Sequence, residues 1–401
     1  MLNLVIKNGG NNLMTNATGR EQLHKRNLNL VLQQIFNNGI ISRIDISHTL
    51  NLNKSTVSAL YNELDEKGLL QEVGSGQSTN VGGRKPVLVK INEQYGYTIS
   101  FDLGFRHLHV MGNYLSGEVF YYQRIELGSR DIQKILGMID HQIKVSMQND
   151  QTKRGLLGIG FSIHGIVQDN QVINSPFIDM EGVDLVELYS TKYRVPVLLE
   201  NEANLSGVYE RDFNDGKDKN NIIAISIHKG IGAGIILNRQ LYRGVNGEAG
   251  EIGRSLMFTE NFTGSKNDKV EDFCSEDAII EQVEVQTHQE NLTREDIVQR
   301  NRAGDKVVQS ELKHFTYAIS RVIYNVAISF APQELYLNSP LIEDIPTLFD
   351  DIVDNAQKLG MKIPIRLIPH SGYATLLGCC SLLTHRVLDM DEYDLTFTSQ
   401  K

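Results

Sequence analysis

Between Gln22 and Asn38 the apolar residues Leu28, Val31, Leu32, Ile35 and Phe36 recur at three- and four-residue spacing, and Asn38-Gly39 supplies a stop. This pattern predicts a first amphipathic helix. Ser42 followed by Asp45 resembles a capping arrangement, which opens a short helix to Leu50 before the turn Asn51-Leu52-Asn53. Asn53 is placed to cap a third helix from Lys54 to about Lys67, whose apolar stripe is Val57, Leu60, Tyr61 and Leu64 and which Gly68 ends. Residues 69–73 then read as a strand and residues 74–80 as the polar turn of a wing. From Gly96 the period changes. Residues 97–104, 157–163, 195–199 and 222–227 are apolar strand-like runs, ending at Asp102 and Gly104, at His164-Gly165, at Glu200-Asn201-Glu202-Ala203-Asn204 and at His228-Lys229. Polar clusters at strand ends predict the crevice of an α/β sheet. The dense turn Gly230-Ile231-Gly232-Ala233-Gly234 lets backbone approach a ligand closely, although such a turn is a weak signal by itself.

Composition narrows the class. With 401 residues, a prior of roughly 150 residues per domain predicts two or three lobes. Hydrophobic residues make up 41% and charged residues 22%, and no apolar run reaches the roughly 18 to 20 residues that span a bilayer, so a globular chain with no membrane association is expected. The Asn-rich start has no secretion-signal pattern, which points to a cytoplasmic protein. Cys274, Cys379 and Cys380 are too few and too poorly spaced for a disulfide framework and are expected to be reduced and buried.

Charge is divided unevenly. Residues 1–90 carry ten basic against six acidic side chains, so this head is at +4 while the remainder is at −14 within a total of −10. A small basic head on an acidic body suits a DNA-binding module fused to a sensor or enzyme, because phosphate contacts need only local positive charge; ordinary surface fluctuation fits the same numbers. Lys54, Ser55, Thr56 and Ser58 fall in the first turn and a half of the third helix, the part of a recognition helix that meets base edges and phosphates. In Gly82-Gly83-Arg84-Lys85-Pro86 two glycines let backbone lie against a groove wall while Arg84 and Lys85 reach phosphates or a narrow minor groove, or else the stretch is a solvated linker. A generic helical bundle is the alternative for the head as a whole.

The order and spacing of these pieces resemble the ROK family of bacterial repressors and sugar kinases across nearly the whole chain. The most specific stretch runs from Ile227 through the glycine turn to Gly244, Gly247, Gly250, Glu251, Ile252, Gly253 and Arg254. Ile41-Ser42-Arg43, Leu52-Asn53-Lys54-Ser55-Thr56-Val57-Ser58 and the Gly82 to Pro86 segment look like the head of the repressor branch, most closely that of the xylose repressors of Gram-positive bacteria. The resemblance adds Arg43 to the DNA-binding candidates. It implies an α/β protein in which an N-terminal winged helix-turn-helix precedes a two-lobed actin-like (ribonuclease H-like) sugar-kinase fold. Its expected divisions are a tail at 1–19, the winged helix-turn-helix at 20–80, the wing end and linker at 81–92, and a sugar-sensing body of two lobes at 93–401.

Against the family's kinases the chain has lost parts. Their phosphate cradle is Asp-x-Gly-Gly-Thr, whereas here Phe105 and Arg106 follow Gly104, and a bulky substituent obstructs backbone approach to phosphate. His228-Lys229 replaces a Gly-Thr pair, and Asn338-Ser339 replaces an adenine-side Gly-Gly. Glu202 stands at the catalytic-base position, which is an Asp in the family; the extra methylene moves the carboxylate by about an ångström, a misplacement that can cost roughly a hundredfold in rate. No catalytic residue is therefore assigned. The family's structural zinc uses a His where this chain has Arg254 and cysteines where local alignment puts Phe262, Gly264 and Lys269, so no metal or nucleotide cofactor is expected.

Independently of the family, carboxylates and an amide converging on a crevice suit a ligand with several hydroxyls. Asn201, Glu202, Glu251 and Glu271 form that set, with Arg254 placed to neutralise the carboxylates; the alternative for Asn201 and Glu202 is a capped helix start. Glu248 reads as a solvated loop charge. The expected function is a repressor that binds operator DNA as a homodimer or homotetramer and is released by a sugar effector, with xylose favoured by the resemblance. Two alternatives stand beside it: an ATP-dependent sugar kinase carrying a DNA-binding head, and a repressor controlled by a protein partner.

Overall fold

The first stripe of apolar residues is buried along one face of helix α1 (Gly19–Asn38), with Leu28, Val31, Leu32, Ile35 and Phe36 inside. Strand β1 (Ile41–Ser42) leads into α2 (Arg43–Leu50), where the Ser42 hydroxyl accepts the Asp45 amide at 3.2 Å and donates to the Asp45 carboxylate at 2.6 Å. Cap and acidic residue thus meet at the positive helix end. Asn51, at φ 51°, ends α2 in the left-handed region, and α3 (Lys54–Glu66) buries Val57, Leu60, Tyr61 and Leu64. Asn53 occupies the N-cap of α3 in extended backbone, but its side chain makes no capping bond. Only its carbonyl serves the helix, accepting the Val57 amide at 3.0 Å. Strands β2 (Leu70–Ser75) and β3 (Val87–Ile91) pair antiparallel in a sheet of order β1-β3-β2, so β2 runs beyond the expected strand across a register shift between Glu72 and Gly74. The head is a helix-turn-helix with a wing.

The computed structural model describes residues 19–76, 85–256 and 269–397. Most of the expected tail, and the wing residues Gly82, Gly83 and Arg84, lie outside them. The chain divides into two units, Met1–Asn92 and Glu93–Lys401.

The second unit lays down one strand arrangement twice. Strands β4 (Tyr97–Leu103), β5 (His107–Tyr114) and β6 (Val119–Glu126) form an antiparallel meander, and α4 (Ile132–Asn149) carries the chain back to β7 (Leu156–Ile163), parallel to β4. A hairpin of β8 (Ile166–Gln168) and β9 (Gln171–Asn174), then α5 (Leu185–Tyr193), lead to β10 (Val197–Asn201), parallel to β7, and to α6 (Glu202–Asp212). The order is β10-β7-β4-β5-β6. The second sheet begins with another meander, β11 (Ile222–Ile227), β12 (Ile231–Leu237) and β13 (Gln240–Leu241). Helices α7 (Glu271–Cys274), α8 (Glu276–Thr287), α9 (Arg294–Arg302) and α10 (Lys306–Phe330) precede β14 (Glu334–Asn338). Then come α11 (Pro340–Asp344), α12 (Thr347–Lys358), β15 (Ile365–Leu367) and α13 (Ser371–Val387). Its order, β15-β14-β11-β12-β13, matches the first.

Each parallel return needs a crossover, so the central strands are covered on both faces and read as unbroken apolar runs. Ile132, Ile135, Ile139 and Ile143 of α4 fill the core on one side of the first sheet. Helices α6 and α13 run between the sheets, α6 against β11 and β12 and α13 against β4 and β7. They touch backbone to backbone: a Cβ on Gly378 would lie 2.1 Å from the Leu205 carbonyl oxygen. This is the two-lobed actin-like architecture that the sequence predicted. Cys274, Cys379 and Cys380 are free and buried, and burial pushes each thiol up to about 12. Among the described residues no helix is long and apolar enough to cross a membrane.

Candidate functional site

In the head, Lys54 and Ser55 are exposed at the start of α3, with Thr56 and Ser58 half-buried behind them. Arg43 opens α2 with its guanidinium over the Tyr61 ring, 4.5 Å from the centroid. The Tyr61 hydroxyl donates to Glu72 on the wing strand at 3.2 Å, and burial, then the charges of Glu72 and Asp65, push this phenol up to about 12. A neutral ring and a tethered cation therefore stand between α2, α3 and the wing. Lys85 is exposed where the chain re-enters the described residues.

In the body, β10 and α6 place the acidic cluster at the crevice. Asn201 caps α6: its Oδ1 accepts the Asn204 amide at 3.1 Å and its Nδ2 donates to the Gly165 carbonyl at 2.7 Å, leaving one lone pair and one N–H. The capped helix start weighed for this residue is thus present, and the side chain still lines the cavity described below. Glu202 is buried; its Oε1 accepts from Ser226 at 3.0 Å and from Asn338 Nδ2 at 3.3 Å, and it faces His228 Nε2 at 3.3 Å. Burial alone would raise this carboxyl, but His228 and then His164 outweigh it and hold it below the usual carboxylate range. His164 also meets Asp102 at 3.0 Å. Burial would lower the imidazole, yet Asp102 raises it to about 9, and against the same burial His164 brings Asp102 down to about 2.

Asn201, Glu202, Glu251 and Glu271 line one cavity of about 390 Å³, together with His164, Phe177, His228, Lys229, Asp277 and Glu281. Gly253 makes room for Glu271, whose Oε2 lies 2.9 Å from where a Cβ on Gly253 would sit. Burial pushes the Glu251 carboxyl up; Arg254 pulls against it, and Glu271 and Glu248 add to the rise. Arg254 itself does not line the cavity, but its Nη1 lies 3.9 Å from Glu251. Glu248 is exposed on the loop. His164, Phe177, Lys229 and Asp277 were not singled out as ligands. His164 and His228-Lys229 follow directly on β7 and β11, strand ends that border an α/β crevice, and that position was the available signal. Loops deliver Phe177 and helix α8 delivers Asp277, which no local pattern announces.

A second cavity, also about 390 Å³, lies on the side of Phe105 and Arg106, the turn between β4 and β5. Several of its polar groups are paired with one another, although Glu276 Oε2, Arg294 Nε and Thr375 Oγ1 are buried without a hydrogen bond. Arg294 pairs with Asp344 at 3.1 Å, Glu276 at 3.7 Å and Glu295 at 3.8 Å, while Tyr122 stacks on Tyr373 at 4.5 Å between centroids. The Phe105 ring carries two cations, Arg130 at 3.5 Å and Lys229 at 4.0 Å from its centroid.

Among the described residues no group of three or more His, Cys, Asp and Glu is arranged to hold a metal. The residues at the expected zinc positions do not fit the ion: Arg254 is a cation paired with Glu251, and Lys269 lies 3.5 Å from Glu271. Phe262 and Gly264 lie outside the described residues.

A winged helix-turn-helix joined to a two-lobed sugar-kinase fold defines a class, the regulators built on a kinase scaffold. Residues 98–364 match the ROK family. The chain is 48% identical over 382 residues to the xylose repressor of Lactiplantibacillus pentosus, covering 95% of this chain and 98% of that protein. It is 41% identical over 369 residues to the xylose repressor of Staphylococcus xylosus, covering 91% and 96%. A crystal structure of a ROK family transcriptional regulator, a homologue of the E. coli Mlc protein, superposes with a TM-score of 0.73 at 21% identity over 92% of this chain and 98% of that one. The chain belongs to the ROK family, as a transcriptional regulator related to the xylose repressors.

Proposed function

We propose that the protein represses a sugar-utilisation operon and leaves its operator when a sugar fills the cavity of Glu202, Glu251 and Glu271, the kinase-like body being catalytically idle. The observation that carries the idle body is Phe105. Its ring, with Arg130 and Lys229 on it, occupies the turn where the family's kinases cradle phosphate, so ATP is not a cofactor in this reading, and the cations Arg254 and Lys269 at the expected ligand positions leave zinc out of it as well. Glu202 is ionised and hydrogen-bonded, which suits it to accept from a sugar hydroxyl and leaves it without an assigned catalytic step. Asn201, Glu251 and Glu271 add acceptors and a donor around the ligand, and Arg254 offsets part of their charge. The names of the L. pentosus and S. xylosus relatives support xylose as the sugar.

In the head, Lys54, Ser55, Thr56 and Ser58 read the operator, while Arg43, Arg84 and Lys85 hold its phosphates. A palindromic operator needs two such heads, hence a homodimer or homotetramer. Sugar closing the lobes shifts the heads only to the extent that it binds the closed state more tightly, a difference of typically 1 to 3 kcal/mol. The test is operator-fragment binding at stated salt with and without xylose, glucose and N-acetylglucosamine, beside an ATPase assay. Binding weakened by one sugar with no ATP turnover is the expected result; sugar-dependent turnover overturns it in favour of a kinase carrying a head.

A further inference from the structure

Lys229 lines both cavities and is bonded to Asp277, which also lines both. Its ammonium lies 4.0 Å from the centroid of Phe105 and 5.7 Å from that of Phe177, and the two rings meet edge to face at 5.6 Å. The rings come from the first lobe, Phe105 in the turn after β4 and Phe177 in the loop after β9, whereas Lys229 and Asp277 belong to the second. This cluster is a contact between the lobes and the wall between the cavities. Phe105 lines the second cavity and is not among the residues lining the first.

We propose that Phe105 is a positioning residue for the sugar response: it holds Lys229 and Asp277 at the edge of the sugar cavity and clasps the lobes around the ligand. The inference rests on the sugar reading above. A cation over a ring is bound more tightly once water is excluded. A sugar seated against Lys229 and Asp277 displaces water from one side of the clasp and strengthens it. By reciprocity the clasp strengthens sugar binding by the same factor. Because Phe105 does not line the sugar cavity, its effect on affinity passes through the residues it touches that do, Lys229 and Phe177.

The test is calorimetric titration of the full chain with xylose, comparing wild type, Phe105→Leu and Phe105→Tyr, with thermal melts as a check on folding. Leucine keeps apolar bulk and removes the ring face, so affinity falls roughly three- to thirtyfold. Tyrosine keeps the face and stays within about threefold. Phe105→Met provides the same comparison if the leucine variant does not fold. Wild-type affinity in the leucine variant overturns the clasp, and so does an equal loss in the tyrosine variant, which a merely structural role for the side chain predicts. Absence of binding by the wild type to xylose, glucose and N-acetylglucosamine alike overturns the sugar reading along with it.

Discussion

The two cavities have similar volumes, about 390 Å³ each, and share His164, Phe177, Glu202, His228, Lys229 and Asp277, yet the polar groups particular to each are used differently. Around the second, Arg294 is held by three carboxylates, Glu343 accepts from the Ser371 hydroxyl at 2.8 Å, and Phe105 and Tyr122 are covered by their own neighbours. Around the first, Glu251 and Glu271 each face one cation without a hydrogen bond to it, Arg254 at 3.9 Å and Lys269 at 3.5 Å, and Asn201 keeps half its capacity. The difference is one of kind: the unpartnered atoms of the second, Glu276 Oε2, Arg294 Nε and Thr375 Oγ1, are buried, whereas the first offers the half-buried carboxylates of Glu251 and Glu271 and the free half of an amide. Volume alone does not mark a binding site; unspent hydrogen-bonding capacity within a ligand's reach does.

Removing that capacity should have the largest effect. Glu251→Ala is expected to weaken sugar binding about ten- to hundredfold in calorimetric titration, the range for losing hydrogen bonds to a charged group. A change below about twofold would mean that the cavity's carboxylates are spectators.

An intermediate effect tests His164, which borders both cavities, and its partner Asp102, which borders the second. The imidazole of His164 is raised from 6.5 to about 9, so its contribution to stability is full below pH 6.5 and is lost as pH rises through about 9. Asp102 is lowered from 3.8 to about 2, so its contribution is present above pH 3.8 and is lost as pH falls through about 2. The gap in melting temperature between wild type and His164→Asn should therefore be widest between about pH 4 and 6.5 and narrow towards pH 9. A gap independent of pH would show that His164 acts through packing. Smallest of all, Glu295→Gln in the second cavity should leave sugar affinity unchanged within about twofold, because Arg294 retains Asp344 and Glu276. A tenfold loss there would erase the distinction between the cavities.

Much of this contrast was written in local pattern. Runs at 97–104, 157–163 and 222–227 became β4, β7 and β11, since strands covered on both faces need continuous apolar sequence. The carboxylates at the ends of such runs were legible because chain direction puts strand ends at the crevice. Asn201 shows one limit: residue type suggested a ligand, and only the positions of Asn204 and Gly165 reveal how much of the amide is already used. Asn53 shows another, because the residue suits a cap but its side chain does not take that role. Phe105 shows a third. As a departure from a phosphate loop it was visible, but its contact with Lys229 joins residues far apart in sequence, which periodicity does not encode.

The doubled strand order gives that contact a further meaning. Phe105 and Lys229 both belong to the turn joining the first two strands of their sheet, so the two halves of the body meet through corresponding positions, as the subunits of a two-fold dimer do. In a true homodimer such a meeting is self-pairing, ring against ring or ammonium against ammonium, the latter repulsive. One chain holding both halves is free of that rule. It can place an aromatic face on one side of the contact and a charge on the other, an asymmetry available only because each half has its own sequence.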